Sequence, residues 1–73
     1  MIKTQTNVYA SSTIEASTYD FKTNELIVTF KHATYSYSNV NVEDYEKFRD
    51  AESQGKALNE YIKKYKFERI EAA

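Results

Sequence analysis

Lys56, Lys63, Lys64, Lys66 and Arg69 crowd together near the C-terminal end of this chain, opposed there only by Glu60 and Glu68, which leaves +3 over residues 56–69. Asn59 and Tyr61 lie among them, and Tyr37 stands upstream in a run that alternates rings with small polar residues. That set can do one kind of work. Ammonium and guanidinium groups neutralise phosphate, a ring stacks on a base, and an amide orients a polar edge. A patch of this size would bind weakly and lose affinity with salt. The same residues would also serve as a solvated helix face, with pairs such as Glu60–Lys64 one turn apart. The first expectation is a non-enzymatic binding module for nucleic acid or a nucleotide-like phosphate. Its ligand-binding residues would be Tyr37, Lys56, Asn59, Tyr61, Lys63, Lys64, Lys66 and Arg69.

Residues 42–53 have the opposite sign. Glu43, Asp44, Glu46, Asp50 and Glu52 outnumber Lys47 and Arg49, leaving −3, so the overall charge of −1 conceals two oppositely charged segments. A negative face suits a positive patch on another protein. The alternative expectation is therefore a protein-interaction domain, for example a phage or mobile-element factor that binds and inhibits a host protein. Pairing of acidic and basic segments between two copies would give a weak homo-oligomer in place of a monomer.

Other chemistries find less footing. His32 is the single histidine and falls between two strand patterns, with no second cluster of ligand-type side chains, so no metal is expected. Ser11-Ser12 has no evident base partner. The carboxylates of residues 42–53 have no obvious cleft around them. Seventy-three residues rarely enclose a catalytic pocket of ordinary size. Neither catalysis nor a cofactor is expected. With no cysteine there is no disulfide framework or thiolate metal site. No apolar run approaches a transmembrane helix, and residues 1–10 lack the apolar stretch of a signal peptide. The cytoplasm is the default location, with no membrane partner.

The elements that would position these residues can be read from periodicity. Residues 26–31 alternate, with Leu26, Val28 and Phe30 on one face, which predicts a central strand. Residues 8–19 predict a second strand, with Ser11-Ser12 able to end or bulge it. Residues 34–40 predict a third, with Tyr35 and Tyr37 facing one way. Asp20 and Asn24 suit a turn, and Asn tolerates the left-handed region. His32-Ala33 must form a hairpin that accepts side chains. At Asn41 the period changes. Asn41 is a favoured N-cap, Asp44 a shortened capping-box acid, and Val40 with Tyr45 a hydrophobic staple. Gly55, the single glycine, stands where the first helix pattern ends, the usual place for a left-handed C′ residue. Leu58, Tyr61, Ile62 and Tyr65 then predict a second helix over 56–66. Phe67 and Ile70 would extend that helix or dock the tail.

The expected architecture is α+β: a three-stranded antiparallel meander followed by two helices packed on one face, βββαα. Residues 1–7 would be a loose N-terminus, residues 8–70 one domain, and residues 71–73 a tail. Hydrophobic residues make up 41% and aromatic residues 15%, with seven Tyr and four Phe, so the core must be built from rings.

Several of these segments together resemble the KTSC domain, named for the C-terminal region of certain lysyl-tRNA synthetases and also found free-standing in bacteria and phages. The resemblance rests on Ser11-Ser12-Thr13-Ile14, Tyr19-Asp20, residues 26–30, and Tyr35-Ser36-Tyr37 with Val40. It continues through Tyr45, Ala51-Glu52-Ser53-Gln54-Gly55-Lys56, Asn59, Ile62-Lys63 and Tyr65, covering residues 8–65. The chain departs from the family in having Ser17-Thr18 for Ile-Gly, a hairpin without Gly, and Asn41 where Pro is usual. These departures touch turn shape more than fold. The resemblance implies the α+β fold and a nucleic-acid-binding role.

Overall fold

The computed structural model describes residues 3–70. Five antiparallel strands run in sequential order: β1 (Thr4–Val8), β2 (Ile14–Asp20), β3 (Glu25–Phe30), β4 (Thr34–Tyr37) and β5 (Phe67–Ile70). Between β4 and β5 the chain crosses one face of this sheet as α1 (Val42–Asp50) and α2 (Gln54–Ala57), which runs on into a π-helical segment (Leu58–Ile62). The two-layer α+β class is as expected. The three-stranded meander is corrected to five strands, with the helices inserted before the last.

The two additional strands escape a local reading for different reasons. Thr4–Val8 falls largely within the stretch expected to be loose, yet it pairs with β2 along its whole length, Thr4 opposite Asp20 and Val8 opposite Ala16. Its residues are mostly polar, so only the partner strand reveals it. In β5, Phe67 and Ile70 are three apart, as in a helix, but they lie on opposite faces of a strand paired with β4. The expected tail, residues 71–73, lies outside the described residues.

Turn chemistry follows local side chains closely. Asp20 Oδ1 accepts the N–H groups of Lys22 at 2.8 Å and Thr23 at 3.2 Å. Asn24 closes that turn with φ 61°, inside the left-handed region. The β3–β4 hairpin closes with Phe30 N–H donating to Ala33 C=O at 2.7 Å, and neither His32 nor Ala33 has positive φ. β2 starts later than expected, and its register against β3 shifts between Ile14 and Ala16. The Ser11-Ser12 stretch thus precedes the strand, and Ser11 Oγ accepts the N–H of Thr13 at 3.2 Å.

Asn41 is the N-cap of α1, its Oδ1 accepting the N–H of Glu43 at 2.9 Å. Val40 and Tyr45, on either side of that cap, are both fully buried. α1 stops at Asp50, because Ala51 and Ser53 adopt extended backbone and the Gln54 amide donates to the Ala51 carbonyl at 2.8 Å. Gly55 therefore does not terminate α1. It sits inside α2 without positive φ, which corrects the expected C′ role.

The core lies between the sheet and the helices. Tyr19 and Tyr45 stack with centroids 4.3 Å apart and planes 7° from parallel, and Phe48, Leu26, Val28, Ile14 and Ile62 close around them. The buried hydroxyl of Tyr19 donates to the Val40 carbonyl at 2.6 Å and accepts from the Asn24 amide at 2.8 Å. The Tyr45 hydroxyl accepts from Asn7 and donates to Gln5, each at 2.6 Å, which ties α1 to β1. Rings inside with their oxygens satisfied is how a Tyr-rich core avoids the cost of burying hydroxyls.

Candidate functional site

The alternation of β4 sends Tyr35 and Tyr37 toward the helical layer. β5 then sets Phe67 opposite Tyr37 and Arg69 opposite Tyr35. Phe30 of β3 completes a row of rings: Phe30–Tyr35 centroids are 5.5 Å apart, Tyr35–Phe67 5.6 Å and Tyr37–Phe67 5.6 Å. The helical layer does not extend fully over this row. A groove of about 560 Å³ is left, with these four rings on the sheet side and Gly55, Leu58, Asn59 and Lys63 on the helical side. Thr13 lines one end.

The helical wall owes its shape to the π segment. Lys63 N–H bonds to the Leu58 carbonyl at 2.9 Å, an i to i+5 bond that widens the turn. Leu58 is buried, while Asn59 and Lys63 remain exposed. The helix ends here, earlier than the residue 66 expected. Tyr65 leaves the helical pattern to bond elsewhere, its hydroxyl accepting the N–H of Asn41 at 3.2 Å and donating to the Asp44 carboxylate.

The structure thus breaks the expected basic helix into parts. Lys56 is on α2, Lys63 and Lys64 follow the π segment, Lys66 precedes β5, and Arg69 is within β5. Of the eight expected ligand-binding residues, Tyr37, Asn59 and Lys63 share the groove. Tyr37 is only 4% exposed and its hydroxyl pKa is pushed up by burial, so its ring belongs mainly to the core. Tyr61 is half-buried on another side, with Lys47 Nζ 5.5 Å above its ring. Lys64 does not pair with Glu60 in the structure described; its Nζ is 3.0 Å from Asp44 Oδ2. Lys66 and Lys64 line a shallower depression on the other flank of Phe67, with Ser38, Tyr65 and Glu68. Arg69 reaches a third depression beside His32 and Lys31.

The acidic set is also divided. Asp44 is held by Tyr65 first and by Lys64, and its carboxyl is lowered below the usual range by those contacts. Asp50 forms a two-point contact with Arg49, both bonds 2.9 Å, which lowers its pKa in turn. Glu43, Glu46 and Glu52 are exposed. The Asp44–Lys64 bridge joins the two segments that the charge pattern set in opposition.

Phe67 is the residue that sequence reasoning missed. It is 57% exposed, between the groove that holds Lys63 and the depression that holds Lys66. A period of two over residues 67–70 suggests a strand, but only its pairing with β4 places Phe67 beside Tyr37. Chemically, the groove offers ring faces, an amide and an ammonium group, a set that can stack a flat ligand and hold a phosphate. Among the described residues, no group of three or more His, Asp or Glu side chains is placed to hold a metal ion. Among them too, no helix is long and apolar enough to cross a membrane.

Comparison with known proteins agrees with this architecture. The family model of the KTSC domain matches residues 10–67. A crystal structure of a KTSC domain protein from Yersinia pestis superposes with a TM-score of 0.86 at 28% sequence identity, covering 93% of this chain and 99% of that one. No curated protein matches the chain. The matched segment spans β2 through the first residue of β5, the whole framework of the groove, and on that ground the chain belongs to the KTSC domain family.

Proposed function

We propose that the protein is a non-enzymatic binding module that takes a single-stranded nucleic acid, or a nucleotide-like phosphate, in the groove between β4, β5 and the π segment. One observation carries this reading: the exposed ring of Phe67 stands between two depressions, one lined by Lys63 and the other by Lys66. A base would stack on Phe67, an interaction of about 1–3 kcal/mol that does not depend on base identity. Lys63 and Lys66 would meet the phosphates on either side, and Asn59 would orient a polar edge. Lys64 contributes less, because a phosphate would have to compete with Asp44. Lys56 and Tyr61 fall outside the site. With so few cations, binding is weak and falls with salt.

Fluorescence anisotropy with labelled single-stranded DNA and RNA across a salt series tests the proposal. Binding that weakens with salt and falls by about tenfold or more in Phe67→Ala supports it. No salt-dependent binding to either probe removes it.

A further inference from the structure

The groove adjoins a second hollow. Phe30 and Tyr35 line the groove and also line a hollow of about 380 Å³ against the β3–β4 hairpin, beside Lys31 and His32. Thr13 belongs to both as well. On the other flank, Phe67 is shared in the same way between the groove and the depression that holds Lys66. Cations and rings therefore alternate across three neighbouring hollows: Lys66, Phe67, Lys63, the Phe30–Tyr35 pair, then Lys31. Lys31 is exposed and forms no ion pair with a described carboxylate.

Charge bounds this track at both ends. Among the described residues, no carboxylate lines the groove or the hairpin hollow. Glu68 stands with Lys66 at one end, and past the hairpin the next depression sets Glu15 with Arg69. Phosphates running beyond either end would meet negative charge. Ring spacing gives the length. Centroids 5.6 Å and 5.5 Å on either side of Tyr35 put Phe30 at most about 11 Å from Phe67, roughly three steps at the 3.4 Å per nucleotide of a stacked strand. Neighbouring rings are nearly perpendicular, at 83° and 81°, so a base lying flat on Phe67 cannot also lie flat on Tyr35. A second base is needed to use the second ring pair. We infer that the site takes a single strand of about four nucleotides and not a mononucleotide, with one base on Phe67, another on the Phe30–Tyr35 pair, and Lys31 as a third phosphate contact. This rests on the groove being the nucleic-acid site, and it adds the β3–β4 hairpin to that site.

The test is displacement of a labelled thymidine hexanucleotide by unlabelled thymidine mono-, di-, tetra- and hexanucleotides. Anisotropy gives affinity, and amide NMR gives the site. Affinity is expected to rise roughly tenfold or more from dimer to tetramer, then to change only by the small gain of extra registers. The tetramer should shift the amides of Thr13 and His32, and the dimer chiefly those of residues 63–67. Lys31→Ala should lower the tetramer's affinity several-fold, reduce its salt slope by about 0.7, and leave the dimer's affinity unchanged. Lys22→Ala, an equal loss of charge in the exposed turn after β2, should do none of these. Equal affinity of dimer and tetramer, or the same effect from Lys31→Ala as from Lys22→Ala, would overturn the inference and leave the groove standing. No displacement at any length, or full affinity in Phe67→Ala, would remove the groove as the binding site and the inference with it.

Discussion

The hydroxyl of Tyr65 donates to the carboxylate of Asp44 while accepting the backbone N–H of Asn41, so one phenol spans the N-terminus of α1. Asp44 lies in the first turn, where negative charge is favoured, and its carboxyl is lowered from 3.8, first by Tyr65 and then by Lys64. A carboxyl whose folded pKa is depressed contributes stability that is present above its unfolded value and is lost as pH falls through the folded one. Wild type should therefore lose stability as pH drops below about 4. Tyr65→Phe should cost about 1–2 kcal/mol at neutral pH and make the acid limb shallower. Urea melts between neutral and acidic pH measure both, and an unchanged acid limb would show that Asp44 is anchored by other means. Tyr65 itself is raised, chiefly by burial, so its contribution is lost at the alkaline end, as pH climbs through its folded pKa.

A second prediction concerns the β2–β3 turn. Asn24 combines φ 61° with an amide that donates to the Tyr19 hydroxyl. Asn24→Gly retains the backbone freedom and loses the side-chain bond, whereas Asn24→Ala loses both. The Ala variant should be the less stable by about 1 kcal/mol, the cost of forcing a Cβ into the left-handed region. Tyr19→Phe should cost about 1–3 kcal/mol, since the Val40 carbonyl would be buried without that donor. Thermal melts of the three variants order these effects, and equal stability of the Ala and Gly variants would contradict the backbone argument.

How much of this could be read in advance depends on the range of each interaction. Asn41, Asn24 and the Asp20 turn act on backbone within three residues, so their chemistry is written locally and the structure follows it. The buried stripe of Tyr45, Phe48, Leu58 and Ile62 is likewise periodic. β1 and β5 depend on partners distant in sequence, and their own residues carry little signal. The groove suffers most from this. Its helical wall was partly visible in Asn59 and Lys63, but Phe67 becomes a groove residue only once β5 pairs with β4. The basic run was visible as charge and misleading as geometry, because the π segment, a turn and a strand divide it.

Gly55 offers a third prediction, opposite in sign to what a C′ glycine would give. It is helical, and a Cβ built on it would meet nothing within 4 Å. Gly55→Ala should stabilise the protein by about 0.5–1 kcal/mol through helix propensity and reduced freedom of the unfolded chain. Its methyl would also enter the groove wall. A melt that shows destabilisation would mean that α2 needs its flexibility, as a moving groove wall would.

The last prediction separates stacking from charge in the groove. Phe67 is exposed and flanked by lysines, so Phe67→Ala removes a ring without emptying a sealed core. It should lower affinity for single-stranded DNA by about tenfold or more, matching 1–3 kcal/mol of stacking, with the salt slope unchanged. Phe67→Trp should preserve or raise affinity. Lys63→Ala and Lys66→Ala should each reduce the slope of log affinity against log salt by about 0.7, the contribution of one phosphate contact on a single strand. Lys64→Ala should alter the slope less, because its ammonium group already sits 3.0 Å from Asp44, and should instead show its effect in stability. The four residues therefore divide into a ring that sets affinity at every salt, two lysines that set salt dependence, and one lysine that holds the fold. If Lys64→Ala flattened the slope as much as Lys63→Ala, the strand would run over the Asp44 side of the molecule, and the aromatic groove would lose its claim as the binding site.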